Sequence, residues 1–380
     1  MSQTRRDFVR AGGSAAAMIL PAQVVRGSQA NSKISVGLIG CGNRGTYDAK
    51  ITNGDPRARV TALCDLFQDR VENATRELKL EKPATYKDFE KLLASDVDAV
   101  IIATPPFEHP RMLDAAVQAK KHVYCEKPMG VDVAGCKRVI ATGKKCDPKK
   151  TLSVGFQQRY GPVYLEAYKR LKEGGIGELS TARAYWIAND PFTRKPYDDP
   201  KVEKLRNWFC YKDLSGDFIV EQDCHNLDVL HWFLGGLPIS AVGYGGTKVR
   251  TSMDLMDNFT LAFRWPNNII VNFEANQLTP QGYNKIGEEF TGPKGTLLTS
   301  RGSMRHNKGW KVQWRELDEF VMKSPRDITY DGLENFLKCI ETGQPENVAE
   351  RSALSTMIGI LGRTALYTKK EQTWKGLFGA

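Results

Sequence analysis

Two short stretches of the chain carry side chains suited to proton transfer, and the first is EKP, residues 126–128. It directly follows an apolar run. A lysine directed into a cleft can hydrogen-bond a substrate hydroxyl and stabilise the oxyanion that develops there, and burial can lower its pKa. Pro128 restricts the turn that would present Lys127. On residue type alone, a solvated surface lysine explains Lys127 equally well.

The second stretch is IVEQDCHNLDVLHWFLGG, residues 219–236, which predicts a helix ended by its two final glycines. Glu221 and His225 are four residues apart and would share a face of that helix. An ordinary histidine pKa of about 6.5 permits proton exchange near neutral pH, which suits a general base. A purely structural histidine is one alternative. Zinc binding is another, but it lacks a clear third ligand even with His231 and Asp223 nearby.

A glycine-rich turn is the first element that would position these groups. Residues 33–45, KISVGLIGCGNRG, form an apolar strand followed by Gly40, Gly42 and Gly45 in GxGxxG spacing. Such glycines allow a tight turn, close approach to a pyrophosphate and close helix packing. A second apolar run ends at Asp65, where a carboxylate accepts bonds from the ribose of NAD and disfavours the 2′-phosphate of NADP. A helix cap is the alternative role for Asp65.

The order of strand-like and helix-like segments predicts two kinds of sheet. Apolar runs at 97–106 and 122–128 alternate with helical patterns such as 111–120, which indicates a parallel, doubly wound sheet. After about residue 150, period-two alternation as in DNFTLAFRW indicates antiparallel strands with one buried face. The predicted fold is therefore α/β, with an N-terminal Rossmann dinucleotide-binding domain and a C-terminal α+β domain that has a large, mostly antiparallel sheet.

Several motifs together resemble one protein family. GLIGCGNRG, CDLFQDR, ATPPFEH and HVYCEKPMG, in this order, resemble the Gfo/Idh/MocA family of sugar and inositol oxidoreductases. The likeness continues through VGFQQRYGPVYLEAYKRLKEGGIGEL and GDFIVEQDCHNLDVLHWFLGG and covers most of the chain. It implies that Lys127 is catalytic beside the nicotinamide and that His225 is the general base. Glu221 stands where the family more commonly has an aspartate, and it reaches one methylene further.

The resemblance and the nucleotide motif together predict the binding residues. The expected catalytic residues are Lys127, His225 and Glu221. The expected cofactor-binding residues are Gly40, Gly42, Asn43, Arg44, Gly45, Asp65, Thr104, Pro105, His109, Glu126 and Lys127. The expected substrate-binding residues are Arg159, Tyr160, Glu221 and His225, although Arg159 and Tyr160 are equally well explained as the surface end of a strand. No metal is expected, and NAD, tightly bound, is favoured over NADP.

The N-terminus has the layout of an export signal. In TRRDFVRAGGSAAAMIL, paired arginines precede ten small and apolar residues, 11–20, which is typical of a twin-arginine signal. That stretch is too short to span a bilayer, which needs roughly 20 apolar residues. Residues 28–30, SQA, supply small side chains for cleavage. The expectation is a signal peptide at 1–30 and a periplasmic protein exported by the twin-arginine translocase; a disordered basic N-terminus is the alternative.

Composition limits the remaining classes. The net charge of +10 is not gathered into basic blocks interleaved with aromatics, which disfavours nucleic-acid binding. At 380 residues the chain has room for a nucleotide domain at 31–150 and a substrate and oligomerisation domain at 151–380, with C-terminal helices able to pack back on the first domain. Eight cysteines without a CxxC pair predict buried free thiols.

These features predict an NAD-dependent oxidoreductase that is exported and forms homo-oligomers. Its reaction would move a hydride between nicotinamide and a hydroxyl or carbonyl carbon of a sugar, glycoside or cyclitol. One alternative is a glycosidase that uses NAD transiently in an oxidation–elimination mechanism. Another is a nucleotide-dependent binding protein that keeps the fold without the chemistry.

Overall fold

The structure is a computed structural model, and it describes residues 33–189, 193–280, 282–308 and 318–379. The predicted signal peptide lies outside the described residues. Within these ranges, no helix combines the length and the apolar character needed to cross a membrane.

The first half of the described chain forms a parallel sheet of six strands in the order β3-β2-β1-β4-β5-β6. The strands are β1 Ile34–Ile39, β2 Ala58–Cys64, β3 Ala84–Tyr86, β4 Ala99–Ile102, β5 His122–Cys125 and β6 Leu152–Val154. The helices between them are α1 Asn43–Gly54, α2 Gln68–Glu77, α3 Phe89–Leu93, α4 His109–Gln118 and α5 Val133–Lys145. The doubly wound parallel sheet is confirmed. The strand predicted over 97–106 is shorter, Ala99–Ile102, and Pro105 and Pro106 belong to the turn that follows it.

The second sheet has nine strands among the described residues, in the order β14-β13-β12-β11-β7-β10-β9-β8-β15. Only β7 and β10 pair in parallel, so the expectation of a mostly antiparallel sheet is confirmed. The strands are β7 Thr181–Ile187, β8 Ser240–Gly246, β9 Asn258–Arg264, β10 Ile270–Asn276, β11 Lys285–Gly292, β12 Gly295–Ser300, β13 Ser303–Lys308, β14 Asp318–Lys323 and β15 Gln372–Thr373. The helices are α6 Pro162–Lys172, α7 Pro200–Arg206, α8 Lys212–Ser215, α9 Phe218–Glu221, α10 Cys224–Leu234, α11 Thr329–Thr342, α12 Ala349–Thr368 and α13 Trp374–Phe378.

One face of the second sheet is buried, as the alternation in β9 predicts. Phe259, Leu261 and Phe263 are buried, whereas Thr260 and Arg264 between and beyond them are exposed. The buried face packs against α10 and α12. The cysteines also follow their prediction: none of the eight forms a disulfide, six of them are buried and the other two are partly buried.

The last long helix, α12, joins the two halves. It packs against α5 of the first half and against β8 of the second sheet. Met129 N donates to Thr356 Oγ1 at 3.0 Å, and Arg363 Nη1 donates to the carbonyl oxygens of Val131 and Gly216 at 2.8 and 2.9 Å. These bonds connect the turn after β5 to the segment that precedes α9.

Helix α11 completes the core of the first sheet. Leu333, Phe336 and Leu337 on its apolar face are buried together with residues of β1 and β2. The helix also packs against α1. The parallel sheet is therefore covered in part by a helix whose residues come from the C-terminal region of the chain.

Candidate active site

The glycine-rich turn between β1 and α1 has the shape that a pyrophosphate requires. Gly40 has φ +96°, and a Cβ there would lie 2.6 Å from the backbone oxygen of Ala103. A Cβ on Gly45 would collide with the backbone oxygen of Gly40. A Cβ on Gly42 would meet only Arg70 Nη1, at 3.2 Å, among the described atoms within 4 Å. Two glycines are thus needed for packing, and the third leaves open space at the start of a helix.

Asp65 at the end of β2 is tied to that turn. Its Oδ2 accepts from Cys41 N at 2.8 Å and its Oδ1 accepts from Phe67 N at 2.9 Å. Each carboxylate oxygen has a second lone pair, which leaves acceptor capacity for ribose hydroxyls. Leu66, although apolar, is 62% exposed beside it and offers a surface for an adenine ring. Asn43 is exposed in the first turn of α1.

His109 links the turn after β4 to the EKP turn. Its Nε2 lies 2.8 Å from Thr104 O and its Nδ1 lies 2.7 Å from Pro128 O. The ring is buried, and burial lowers its pKa. Thr104 Oγ1 lies 3.4 Å from Met112 Sδ, and Pro105 precedes the short turn Pro106–Glu108. His109 thus holds the two turns together.

Glu126 and Arg44 connect the EKP turn to the glycine-rich turn. Arg44 Nε and Nη2 donate to Glu126 Oε1 at 2.9 and 2.8 Å, and Arg44 Nε lies 3.2 Å from Asp48 Oδ1. Glu126 is buried, and its other oxygen accepts from Lys127 N at 3.2 Å. A Cβ on Gly155 would collide with the Glu126 carboxylate, so a glycine there makes room for the acid.

We expect Gly155→Ala to lower the free energy of unfolding by about 1–3 kcal/mol, because the added methyl group overpacks the site against a buried carboxylate. Urea denaturation measures the change. Gly54→Ala is the matched control, since a Cβ there meets no described atom within 4 Å; its effect should stay within about 1 kcal/mol. Equal stability of the two variants would contradict the proposed fit around Glu126.

Lys127 reaches across to the second half of the chain. Its Nζ donates to Glu221 Oε1 at 2.8 Å and to Glu221 O at 2.6 Å. Burial, the largest single influence, lowers the pKa of Lys127, but Glu221, Cys224 and Glu126 together outweigh burial, and the pKa lies above its ordinary value. Burial can lower the pKa of a lysine, as expected, but here the neighbouring groups reverse the net direction. A protonated lysine is a hydrogen-bond donor for a substrate oxygen.

The single helix predicted over 219–236 is wrong in one respect. The structure has α9 ending at Glu221 and α10 beginning at Cys224. Glu221 O accepts from Lys127 Nζ and from Cys224 Sγ, at 2.6 and 3.3 Å, instead of completing a continuous helical ladder. Asp217, with φ +70°, caps α9 by accepting from Phe218 N at 2.7 Å, so the short helix starts from a strained residue.

His225 lies in the first turn of α10 and is buried between two aromatic rings. Its ring centroid is 6.0 Å from that of Phe156 and 6.2 Å from that of Trp186, which is nearly parallel to it. Nδ1 has no hydrogen-bond partner among the described residues. Burial and then the charges of Lys127 and Arg301 hold the pKa of His225 well below its ordinary value. The imidazole is therefore neutral at neutral pH and able to accept a proton.

Three of the groups around His225 are missing from the predicted site. Trp186 lies near the C-terminal end of β7, Phe156 follows β6, and Arg301 occupies the turn between β12 and β13. Arg301 Nη2 donates to the amide oxygen of Gln157, whose amide nitrogen donates to Gly155 O. The sequence signal for Phe156 was its place after a strand of the parallel sheet; Arg301 and Trp186 belong to no motif.

Arg159 and Tyr160 are bonded to acidic side chains that are not among the predicted site residues. Arg159 Nε and Nη2 bind Asp228 Oδ2 and Oδ1 at 2.9 and 2.8 Å, and Asp228 also accepts from Ser355 Oγ at 2.7 Å. Tyr160 OH donates to Glu346 Oε1 at 2.7 Å. Because both side chains are held by residues of other helices and loops, their contacts favour packing over the predicted substrate binding.

The described part of the chain contains no group of three histidine, cysteine or acidic side chains placed to hold a metal ion. The zinc alternative for Glu221 and His225 has a further difficulty, because a lysine ammonium lies 2.8 Å from Glu221 Oε1. A cation at that position competes directly with a metal ion.

Comparison with known families agrees with this architecture. A model described as oxidoreductase family, NAD-binding Rossmann fold, matches residues 34–156. The GFO/IDH/MocA C-terminal domain matches residues 164–304. The chain belongs to the Gfo/Idh/MocA family. The first sheet of this Gfo/Idh/MocA protein is accordingly an NAD-binding Rossmann domain, and the predicted resemblance is confirmed.

Individual relatives extend the comparison over nearly the whole chain. Myo-inositol 2-dehydrogenase of Thermotoga maritima is 23% identical over 357 residues, which cover 90% of this chain and 99% of the relative. Scyllo-inositol 2-dehydrogenase (NAD(+)) of Bacillus subtilis is 27% identical over 341 residues, which cover 86% and 92%. Among solved structures, a levoglucosan dehydrogenase in complex with NADH and levoglucosan shares the fold, with a TM-score of 0.74 at 18% identity and coverage of 90% and 99%.

Proposed function

We propose that this Gfo/Idh/MocA protein is an NAD-dependent dehydrogenase that oxidises a hydroxyl of a cyclitol or sugar. One observation carries the proposal: Lys127, held by Glu221, lies near His225 at the carboxyl end of an NAD-binding sheet, and His225 is neutral with no hydrogen-bond partner for Nδ1 among the described residues. The named activities of the inositol dehydrogenase relatives support a polyol ring as the substrate class.

The residues around the cleft fit NAD. The open space at Gly42 and the first turn of α1 would take the pyrophosphate, and Asp65 with Leu66 would take the adenosine. When bound, NAD supplies the acceptor for the hydride. Thr104 and Pro105 form the turn that closes this side of the cleft, and His109 holds that turn against the EKP turn.

In the proposed reaction, the protein moves one proton and stabilises one oxygen. His225 accepts the proton of the substrate hydroxyl, because its low pKa leaves the imidazole unprotonated near neutral pH. Lys127 donates a hydrogen bond to the same oxygen as negative charge develops on it. Glu221 acts through Lys127, because its carboxylate and its backbone oxygen both orient the ammonium group. The rings of Phe156 and Trp186 keep water from His225.

A panel of cyclitols, aldoses and anhydrosugars tests the proposal, with nicotinamide absorbance as the readout. Oxidation of at least one polyol with stoichiometric reduction of NAD is the expected result. Aryl glycosides form the second arm: aglycone release without net reduction would support the NAD-using glycosidase instead. Saturable nucleotide binding with no absorbance change on any substrate would support a binding protein and overturn the proposal.

Export is a second part of the proposed function. We expect a periplasmic fraction to contain the protein with near-stoichiometric NAD after extensive dialysis, because the twin-arginine route carries proteins that have folded around a cofactor. Arg5→Lys combined with Arg6→Lys should retain the protein in the cytoplasm, whereas Arg26→Lys, outside the arginine pair, should not. Unchanged export of the double variant, or a preparation free of nucleotide, would refute this part.

Self-association is proposed through the outward face of the second sheet. Val242 and Tyr244 on β8 and Ile270 on β10 are large apolar side chains that are 40%, 69% and 41% exposed on that sheet. We expect sedimentation to show a dimer or tetramer that Tyr244→Lys weakens by about tenfold or more in dissociation constant, since a charge would be desolvated at the contact. A monomer at all concentrations would contradict the proposal.

A further inference from the structure

One segment of the second half crosses to the nucleotide-binding half on the side where the cofactor would lie. This crossing segment, residues 194–215, includes the short helices α7 and α8. At one end, α8 packs against the turn Pro106–Glu108 that follows β4. Towards the middle, Arg206 at the end of α7 reaches the segment that follows β2. The crossing segment therefore contacts the segments that follow β2 and β4, two strands whose carboxyl ends border a dinucleotide site.

The crossing segment is stiffened by its own polar contacts. Asn207 Oδ1 accepts from Lys195 N at 2.9 Å, and Asn207 Nδ2 donates to Lys195 O at 2.7 Å and to Glu203 Oε1 at 2.9 Å. Arg194 Nε donates to Glu203 Oε1 at 2.8 Å, and its Nη1 donates to Ser252 O at 3.0 Å. Asn207 and Glu203 are buried. A segment held in this way moves as a unit. A single contact between the crossing segment and the nucleotide-binding half therefore affects the position of the whole segment.

Arg206 makes this contact with the nucleotide-binding half. Its Nη1 and Nη2 bind Asp69 Oδ2 and Oδ1 at 2.9 and 2.6 Å, 137 residues away in sequence. The guanidinium also lies 4.0 Å from the ring centroid of Phe67 and 5.5 Å from that of Tyr197. Arg206 is 17% exposed in its side chain, whereas Asp69 is 61% exposed. A pair this exposed stabilises little alone, but two-point bonding and stacking on an aromatic ring add to it.

The contact lies beside the expected adenosine position. Phe67, under the guanidinium, donates its backbone N–H to Asp65, the expected ribose acceptor. Leu66, the exposed apolar residue, stands between them in sequence. The Arg206 bond also lowers the pKa of Asp69 below its ordinary value. Opening this contact frees the crossing segment from the adenosine side of the site.

We propose that the Arg206–Asp69 contact holds the crossing segment over the adenosine end of bound NAD and sets the rate at which the nucleotide leaves. The inference rests on the proposed NAD-dependent function and names the residue that slows cofactor exchange. Arg206 is a positioning residue in this account, because it acts on the nucleotide through the crossing segment and Phe67. Slow release would keep NAD bound in the proposed exported protein, because NAD is not replenished outside the cytoplasm.

Release of preloaded NADH into excess NAD, followed by nicotinamide fluorescence, tests the proposal without any sugar. We expect Arg206→Ala and Asp69→Asn each to speed release by about tenfold, which corresponds to about 1.4 kcal/mol. The charge-swapped double variant, Arg206→Asp with Asp69→Arg, should recover part of the slow rate. High salt should speed release from the wild type much more than from either single variant.

Arg305→Ala is the matched control, because Arg305 pairs with Glu319 at 2.9 Å on the second sheet, away from the first. Its release rate should equal that of the wild type. Equal rates in Arg206→Ala, Asp69→Asn and the wild type would overturn the proposal while leaving the dehydrogenase assignment intact. Faster release in both variants of a protein that oxidises no polyol would support the contact and defeat the assignment. A wild type that binds no NADH would overturn both.

Discussion

Replacing Lys127 by alanine is expected to lower kcat for polyol oxidation by about a thousandfold, within the range of 10²–10⁴ that a positioned proton-transfer or donor group contributes. The reason is geometric. Lys127 is the ammonium group held by Glu221 at 2.8 Å beside neutral His225, so its loss leaves the developing oxyanion without that donor. Steady-state kinetics with saturating NAD measures the change, and nucleotide binding should stay within a few-fold of the wild type.

Two further variants make this result specific. Lys127→Met keeps the volume of the side chain and should be as inactive as the alanine variant, which excludes a collapsed site as the cause. Lys169→Ala removes an exposed lysine on α6 and should leave kcat unchanged. Wild-type turnover in Lys127→Met would remove this lysine from the mechanism.

His225→Asn is expected to lower kcat by a factor of about 10²–10⁴. It should also abolish the acidic limb of the pH profile, which is the fall in kcat at low pH. The pKa of His225 lies well below its ordinary value, so the base is already unprotonated at pH 6.5 and the wild-type rate should fall only at lower pH. The sign follows from the role: protonation removes the acceptor, so activity is lost as pH falls through the pKa of the histidine. A pH profile of kcat between about pH 4.5 and pH 9 measures this loss of activity. The range extends roughly two units on either side of the ordinary histidine pKa.

Arg301→Gln provides the companion measurement. Its positive charge is one cause of the low pKa of His225, so removing that charge should raise the pKa and move the acidic limb to higher pH. Burial, the largest cause, is unchanged, which limits the shift. A limb that stays in place, or moves to lower pH, would show that a group other than His225 controls it.

The parallel sheet and its glycine turn could be predicted because they depend on local patterns. The collision of a Gly45 Cβ with Gly40 is a property of the turn itself, and the spacing of the glycines encodes it. The same locality explains Asp65, which follows the next strand of the sheet. The predicted end of β4, at residue 106, lies beyond its observed end at Ile102. An apolar run does not show where the hydrogen bonds to the neighbouring strand stop.

The rest of the site depends on contacts between residues far apart in the chain. Helix α9 ends at Glu221 because its carbonyl oxygen accepts from Lys127, 94 residues earlier, and no helical pattern contains that information. Arg301 reaches the site because of strand order in the second sheet. For Arg159 the sequence left substrate binding and a surface strand end as equal alternatives, because its partner Asp228, on α10, is visible only once the helices pack.

The position of α11 and α12 has a consequence for the timing of synthesis. Both helices lie near the C-terminus, yet α11 fills the core of the first sheet and α12 bonds to the turn after β5. A ribosome adds about 5–20 residues per second, so roughly 10–40 s separate the completion of the parallel strands from the appearance of α12. The nucleotide-binding half therefore reaches its final form only after residues 329–368 have been synthesised.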